Sequence, residues 1–327
     1  MSVGVSEPQT AQAPPRAASS AAPVTIVPVL DRATWDVLLA RAAFPHLPQA
    51  YGYGEGKRAT GWSVERVALQ RGGRSLAIAT ALVRRLFGIR ILVRINRGPI
   101  LLEPLSAQDV TALYAALRRH WRGPLLIAPA LPHGADSTQI LAKAGFRLRH
   151  DKGWMSGRID LDREPEQIWS GLASTFRNRV RQAEKASPSV RIAIDDATYE
   201  WLLDRHVENM RDKGFSAAEP VLLRALRAAR PQDVLVFQMI HDGQAVAGMS
   251  VVLFGDCAEY HVGWFGPEGR RFNAGNFLMW EVIKDLQRRG VRQFDVGGLK
   301  PGDGYTQFKR TMRPVEFRLA GEWMSFW

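Results

Sequence analysis

The chain has a single cysteine, Cys257, among 327 residues. One thiol excludes an internal disulfide framework and any multi-cysteine metal site. Cys257 falls in an apolar strand pattern from Val251 to Gly263, where it reads as a small buried hydrophobe. The seven histidines form no HxH or HxxxH pair, so no metal site is expected. Neither a glycine-rich Walker loop nor a Gly-x-Ser-x-Gly elbow occurs, which leaves phosphate-loop and esterase-like nucleophile readings without support. No apolar run approaches the length of a membrane helix. Acidic residues are outnumbered, 32 against 44 Lys and Arg, for a net charge of +12. That excess fits a generally basic proteome or a polyanionic partner: tRNA, an anionic membrane face or a phosphorylated substrate. Residues 1–23, rich in Ala, Pro, Ser and Gln, have neither a basic start nor an apolar centre. They read as a disordered tail rather than a secretory signal, and a cytoplasmic protein is expected, with peripheral contact at the inner membrane face as an option.

What the chain does have is a duplication. Apolar strands meet at a glycine turn at Gly72-Gly73, and again at Asp242-Gly243. Each copy ends a further strand at Gly-Pro, at Gly98-Pro99 and Gly266-Pro267, then runs through a helix into a short apolar strand near 125–128 and 293–295. A period this long marks a duplicated domain, not a solenoid. Strands interleaved with helices predict an α/β (α+β) fold: two tandem units, each a mixed sheet flanked by helices, with a cleft between them. The expected division is 24–158 and 159–327. An additional helix pair is expected at 196–212 and 219–229, and residues 146–162 are expected to cross between the halves.

Three segments are candidates for chemistry. Residues 270–276 open a helix, and a glycine-containing loop before a helix N-terminus makes an anion site from free N–H groups and the helix dipole. Arg270, Asn273 and Gly275 are therefore donor-site candidates, against the plainer reading of a turn capped by Asn273. Arg177, Arg181 and Lys185 recur every four residues on one helix face, either solvated or gripping phosphate. The stretch 294–311 carries Asp295, the Gly297-Gly298 pair, Tyr305, Phe308 and Lys309. Lys309 is either a surface lysine or the cation that stabilises a tetrahedral oxyanion. Asp295, Asp303 and Glu259 are the carboxylates placed to take an amine proton.

In order along the chain, these segments resemble the FemABX-type aminoacyltransferases, tandem GNAT-fold enzymes. The matching segments are 48–62 with Lys57, Arg97-Gly98-Pro99, the helix from Phe176 to Ala186, residues 210–215 with Arg211, and 294–298 followed by Phe308-Lys309. The loop at 270–275 is similar to the acyl-CoA loop of GNAT enzymes, with Asn273 in place of its central glycine. No long coiled-coil arm separates the second-half helices, so the arm-less members are the nearer comparison. The resemblance implies an acyltransferase of the cell envelope that moves an aminoacyl group from aminoacyl-tRNA to an amine of a peptidoglycan precursor. It implies no bound cofactor. Lys309 acts in the transition state, while Lys57, Arg97, Arg211, Tyr305 and Phe308 bind substrate. Poorly characterised relatives imply an alternative: acyl-CoA as donor, with an envelope polysaccharide, lipid or small amine as acceptor. Charge alone also leaves room for a non-catalytic RNA- or membrane-binding adaptor. The second copy is expected to hold the donor and the reaction centre, and the first to wall the acceptor.

Overall fold

The computed structural model of the protein describes residues 22–213 and 219–326. Most of the expected N-terminal tail, and Gly214-Phe215 of the 210–215 motif, lie outside the described residues. The first unit runs β1 (Thr25–Pro28), α1 (Arg32–Ala40), α2 (Tyr51–Ala59), β2 (Ser63–Arg71), β3 (Arg74–Leu86), β4 (Ile89–Asn96), β5 (Ile100–Leu101), α3 (Ala107–His120), β6 (Leu125–Ala128), α4 (Ala135–Lys143) and β7 (Arg147–His150). The second runs β8 (Met155–Asp160), α5 (Pro165–Gly171), α6 (Ser174–Glu184), β9 (Ser189–Ala193), α7 (Asp196–Lys213), α8 (Pro220–Ala229), β10 (Val234–His241), β11 (Gln244–Phe254), β12 (Cys257–Phe265), α9 (Pro267–Arg271), α10 (Ala274–Arg288), β13 (Gln293–Asp295), α11 (Gly304–Arg310) and β14 (Val315–Arg318). A last strand, β15 (Glu322–Ser325), ends the chain.

The duplication is present in three dimensions. The antiparallel hairpin β2–β3 continues into β4, which pairs in parallel with β6 after α3. Likewise β10–β11 continues into β12, which pairs in parallel with β13 after α10. The sheets are ordered β1-β2-β3-β4-β6-β15-β7 and β14-β8-β13-β12-β11-β10-β9, with β5 added beside β3.

The last strands are exchanged. β8, which follows the first unit in sequence, sits beside β13 in the second sheet, and β15, at the end of the chain, sits beside β6 in the first. The expected halves, 24–158 and 159–327, therefore cut through β8 and assign β15 to the sheet it does not join. Local patterning assigned β15 to its neighbours in sequence, whereas it pairs with β6 and β7 of the first unit, Ser325 with Leu125 and Glu322 with His150. The two crossing segments touch closely. A Cβ on Gly153 would lie 1.8 Å from the Leu319 carbonyl oxygen, and one on Gly321, at φ +79°, would lie 2.5 Å from that of His150. Only glycine lets the two backbones pass at that distance.

Each sheet buries one face against its own helices. Phe176, Leu278 and Ile283 pack with Phe294 of β13 under the second sheet, and Leu113, Tyr114, Leu117 and Trp121 lie under the first. A third core joins the units, with Trp35, Leu39, Ile78, Tyr199, Leu202 and Val236 packed together. The seam is tightened by α2 against α8. Gly52 and Gly56 face that helix, and a Cβ on Gly56 would stand 2.9 Å from Leu222 Cδ1.

Candidate active site

The second unit opens where β12 and β13 part. Their parallel pairing ends at Glu259–Asp295. Beyond it the β11–β12 register shifts, leaving His261 as the extra residue of a bulge. Bulges re-aim side chains and end pairing. On the other strand Gly297, at φ +73°, brings its Cα to the Tyr260 carbonyl, where a Cβ would fall 2.8 Å from the oxygen.

Lys309 projects from α11 into this opening and is only 4% exposed. Its Nζ donates to the Gly298 carbonyl at 2.9 Å and stands 5.2 and 5.1 Å from the ring centres of Tyr260 and Tyr305. Burial lowers its pKa to about 8, with Asp295 and Glu259 opposing that shift. The surface-lysine reading is thereby excluded. At neutral pH the group is still mostly an ammonium, and two of its three donors have no protein acceptor among the described residues. Tyr305 and Tyr260 join through their hydroxyls, Phe308 stacks on Tyr305, and the Phe308 ring reaches the start of α10, 3.4 Å from where a Gly275 Cβ would lie.

Asp295 is fully buried. Its Oδ1 accepts from Ser156 Oγ and from the Gly297 amide, and its Oδ2 from Arg158 Nε at 3.4 Å. Burial, then Glu259, raises its pKa. With no exposure and its oxygens occupied, Asp295 holds the turn whose Gly298 carbonyl receives Lys309; it is a positioning residue, not the proton acceptor its sequence position suggested. Glu259 is locked to Arg97 at 3.0 and 3.5 Å, and Asp303 caps α11 by accepting from the Tyr305 amide. Each expected carboxylate thus already has a structural partner. Periodicity does not single out His261, the extra residue of the bulge. Its Nδ1 is sealed without a partner, while its ring is only half-buried. Burial and Arg97 hold its pKa down to about 4, so it is neutral at pH 7.

The first unit supplies the facing residues. Arg97 follows β4, forms the ion pair with Glu259 across the seam, and lies 4.2 Å over the Trp154 ring. Gln49 braces this corner, donating to Asn96 O and accepting from the Thr80 amide. Lys57 Nζ stands 5.5 Å from the Tyr53 ring and has no ion-pair partner among the described residues. Burial and nearby Arg94 lower its pKa. Lys57 and Arg97 therefore share one corner through Tyr53, which lies in the field of Arg97, Glu259 and Arg94.

Other expected residues stand apart. Arg211 is 77% exposed at the end of α7, paired with its neighbour Asp212. Arg177 donates to the Ser170 and Trp169 carbonyls at the end of α5, and Arg181 to Asn178 while lying 5.6 Å from the Trp169 ring. Arg270 turns back onto the Phe265 carbonyl. Asn273, at φ +55°, bonds Gln182 and does not cap α10 with its side chain. The amides of Arg270, Phe272 and Asn273 are taken up in the turns of α9. That inserted turn, invisible to a loop pattern, leaves fewer N–H groups for an anion than the sequence suggested.

Comparison with known proteins bears on the fold. Residues 171–310 match the acetyltransferase (GNAT) domain model. The crystal structure of FemX superposes with a TM-score of 0.80 at 16% identity, covering 93% of this chain and 97% of that one. The chain has the tandem GNAT fold of the FemABX type. The second unit carries the stretch that matches the GNAT domain model. L-PGS from Bacillus licheniformis shares the fold at a TM-score of 0.54 and 12% identity, with 90% and 91% coverage. A tandem GNAT protein from the clavulanic acid biosynthesis pathway does so at 0.50 and 15%, with 93% and 98% coverage. No curated protein sequence matches the chain.

Proposed function

We propose that the protein transfers an aminoacyl group from aminoacyl-tRNA to the amine of an anionic cell-envelope precursor, a peptidoglycan precursor in the first instance. The observation that carries this reading is the buried Lys309 ammonium, held between Gly298 and two tyrosine rings with donors to spare. An ester donor already carries an activated carbonyl, so positioning the amine and stabilising the oxyanion suffice for acyl transfer. Lys309 faces the developing oxyanion. As the C–N bond forms the amine sheds its proton to solvent, and the tRNA ribose oxygen leaves with the electrons of the broken ester bond and takes up a proton from water. Lys57, lacking a carboxylate partner, attracts the acceptor's anionic group, while Asp295 keeps the Gly297-Gly298 turn in place.

A second reading, with acyl-CoA as donor, is favoured by the GNAT domain match over 171–310. The same assay separates them: purified protein, an amine-bearing precursor, and either charged tRNA or acyl-CoA. Turnover with charged tRNA alone is expected, lowered about 10²–10³-fold by Lys309→Ala. Turnover with acyl-CoA alone overturns the tRNA reading and keeps the acyltransferase. No turnover with either leaves the adaptor reading, tested by filter binding of tRNA.

A further inference from the structure

The β3–β4 hairpin runs past the sheet that carries it. β2 covers β3 only as far as Val83, and β6 covers β4 only from Val93. Residues 84–92 are therefore a free two-stranded ribbon, closed by the pair Leu86–Ile89 around the turn Phe87-Gly88. Its tip is apolar and exposed: Phe87 96%, Ile89 69%, Leu86 53% and Ile91 47%. Phe87 has φ +48° and Gly88 +78°. Two consecutive positive-φ residues are the turn for which Asn-Gly is the favoured pair, and a bulky residue in the first position is strained. Here a phenylalanine occupies that position while its ring touches solvent almost everywhere. Within the monomer this choice brings strain and hydration cost with no packing in return.

The surroundings are basic. Arg85 and Arg90 pair across the ribbon, and Arg90 donates to the carbonyl of exposed Arg122 at the end of the α3–β6 turn. One acid, Glu65, is near, and it is shared between Arg85 and the Trp121 indole. An apolar tip ringed by arginines matches an anionic bilayer: the aromatic and aliphatic side chains enter the interfacial region, and the guanidinium groups meet lipid phosphates. Soluble surfaces seldom display such a cluster without a partner.

We infer that the 84–92 ribbon is a membrane-docking element that inserts Phe87 and its aliphatic neighbours into an anionic lipid surface. The inference is independent of the acyl-transfer reading, since it needs no turnover. It is tested by vesicle flotation of the full chain with phosphatidylcholine vesicles, with or without phosphatidylglycerol, comparing wild type with Phe87→Asn. Asparagine suits the turn, so the variant keeps its fold, checked by thermal melting. Wild type is expected to float with the anionic vesicles, less so at high salt, and Phe87→Asn to lose roughly tenfold or more of that partition. Arg85→Ala with Arg90→Ala is expected to weaken binding by a similar factor at low salt. Failure of wild type to bind anionic vesicles overturns the proposal, as does equal binding by folded Phe87→Asn. A wild-type dimer that Phe87→Asn dissolves, without vesicle binding, also overturns it and assigns the ribbon to self-association.

Discussion

The two units share one order of elements and differ where the third strand hands over to its helix. In the first unit β4 and β6 stay paired from Val93 to Asn96, the chain crosses Arg97-Gly98-Pro99, and Ser106 caps α3 by accepting from the Asp109 amide. That junction is closed. In the second unit β12 and β13 pair over three residues only, His261 bulges, and α10 starts without a side-chain cap. That junction is open, and Lys309 enters it. A duplicated fold can keep one copy as a wall and leave the other unfinished, because a site needs backbone that is not already paired.

The comparison is broken most completely by undoing the strand exchange. Gly153→Ala places a methyl against the Leu319 carbonyl, and we expect roughly 4 kcal/mol or more of destabilisation, read by denaturant unfolding, with both units lost together. An unaffected midpoint would mean that the crossing strands are not shared structure. Next comes the open junction. Lys309→Ala is expected to lower kcat by about 10²–10³-fold with an unchanged melting temperature, whereas Lys57→Ala, in the closed unit, should act mainly through KM. Equal kcat losses would erase the division of labour.

Activity that needs the Lys309 ammonium should be full well below pH 8 and fall as pH rises through about 8, the lowered pKa of that group. Lys309→Arg should shift any remaining activity's alkaline limb upward, since guanidinium stays charged. Gly56→Ala crowds Leu222 at the seam and should cost about 1–3 kcal/mol by thermal or urea unfolding. The smallest effect belongs to the capped helix: Ser106→Ala should cost about 1 kcal/mol, while Asn273→Ala in α10 removes no side-chain cap.

Much of the fold was legible because it is local. Alternating apolar residues and glycine turns marked both hairpins; Gly72-Gly73 and Asp242-Gly243 close them as expected. Helices with capping signals, such as α3 after Ser106, fell where periodicity put them. Site residues were legible only in part. Phe308 and Lys309 stood out by resemblance, and the structure adds that they meet Gly275 and Gly298. Ser156 and Arg158, which hold Asp295, look like ordinary alternate positions of an apolar strand. His261 looks like any strand histidine, because a bulge is a property of two paired strands and not of one. Arg177 and Arg270 looked like phosphate ligands, yet both bind backbone carbonyls that sequence spacing does not place.

By itself the sequence determined the duplication, the element order, the absence of a multi-cysteine framework and the concentration of candidate chemistry in the second copy. These follow from periodicity and residue type, which act over a few residues. Only the tertiary structure decided that β8 and β15 trade sheets, that Lys309 is buried rather than exposed, and that the Asp295 carboxylate is buried against Ser156, Arg158 and the Gly297 amide. Those outcomes depend on which distant segments pair and on how much water their packing removes, and neither quantity is written in any one stretch of chain.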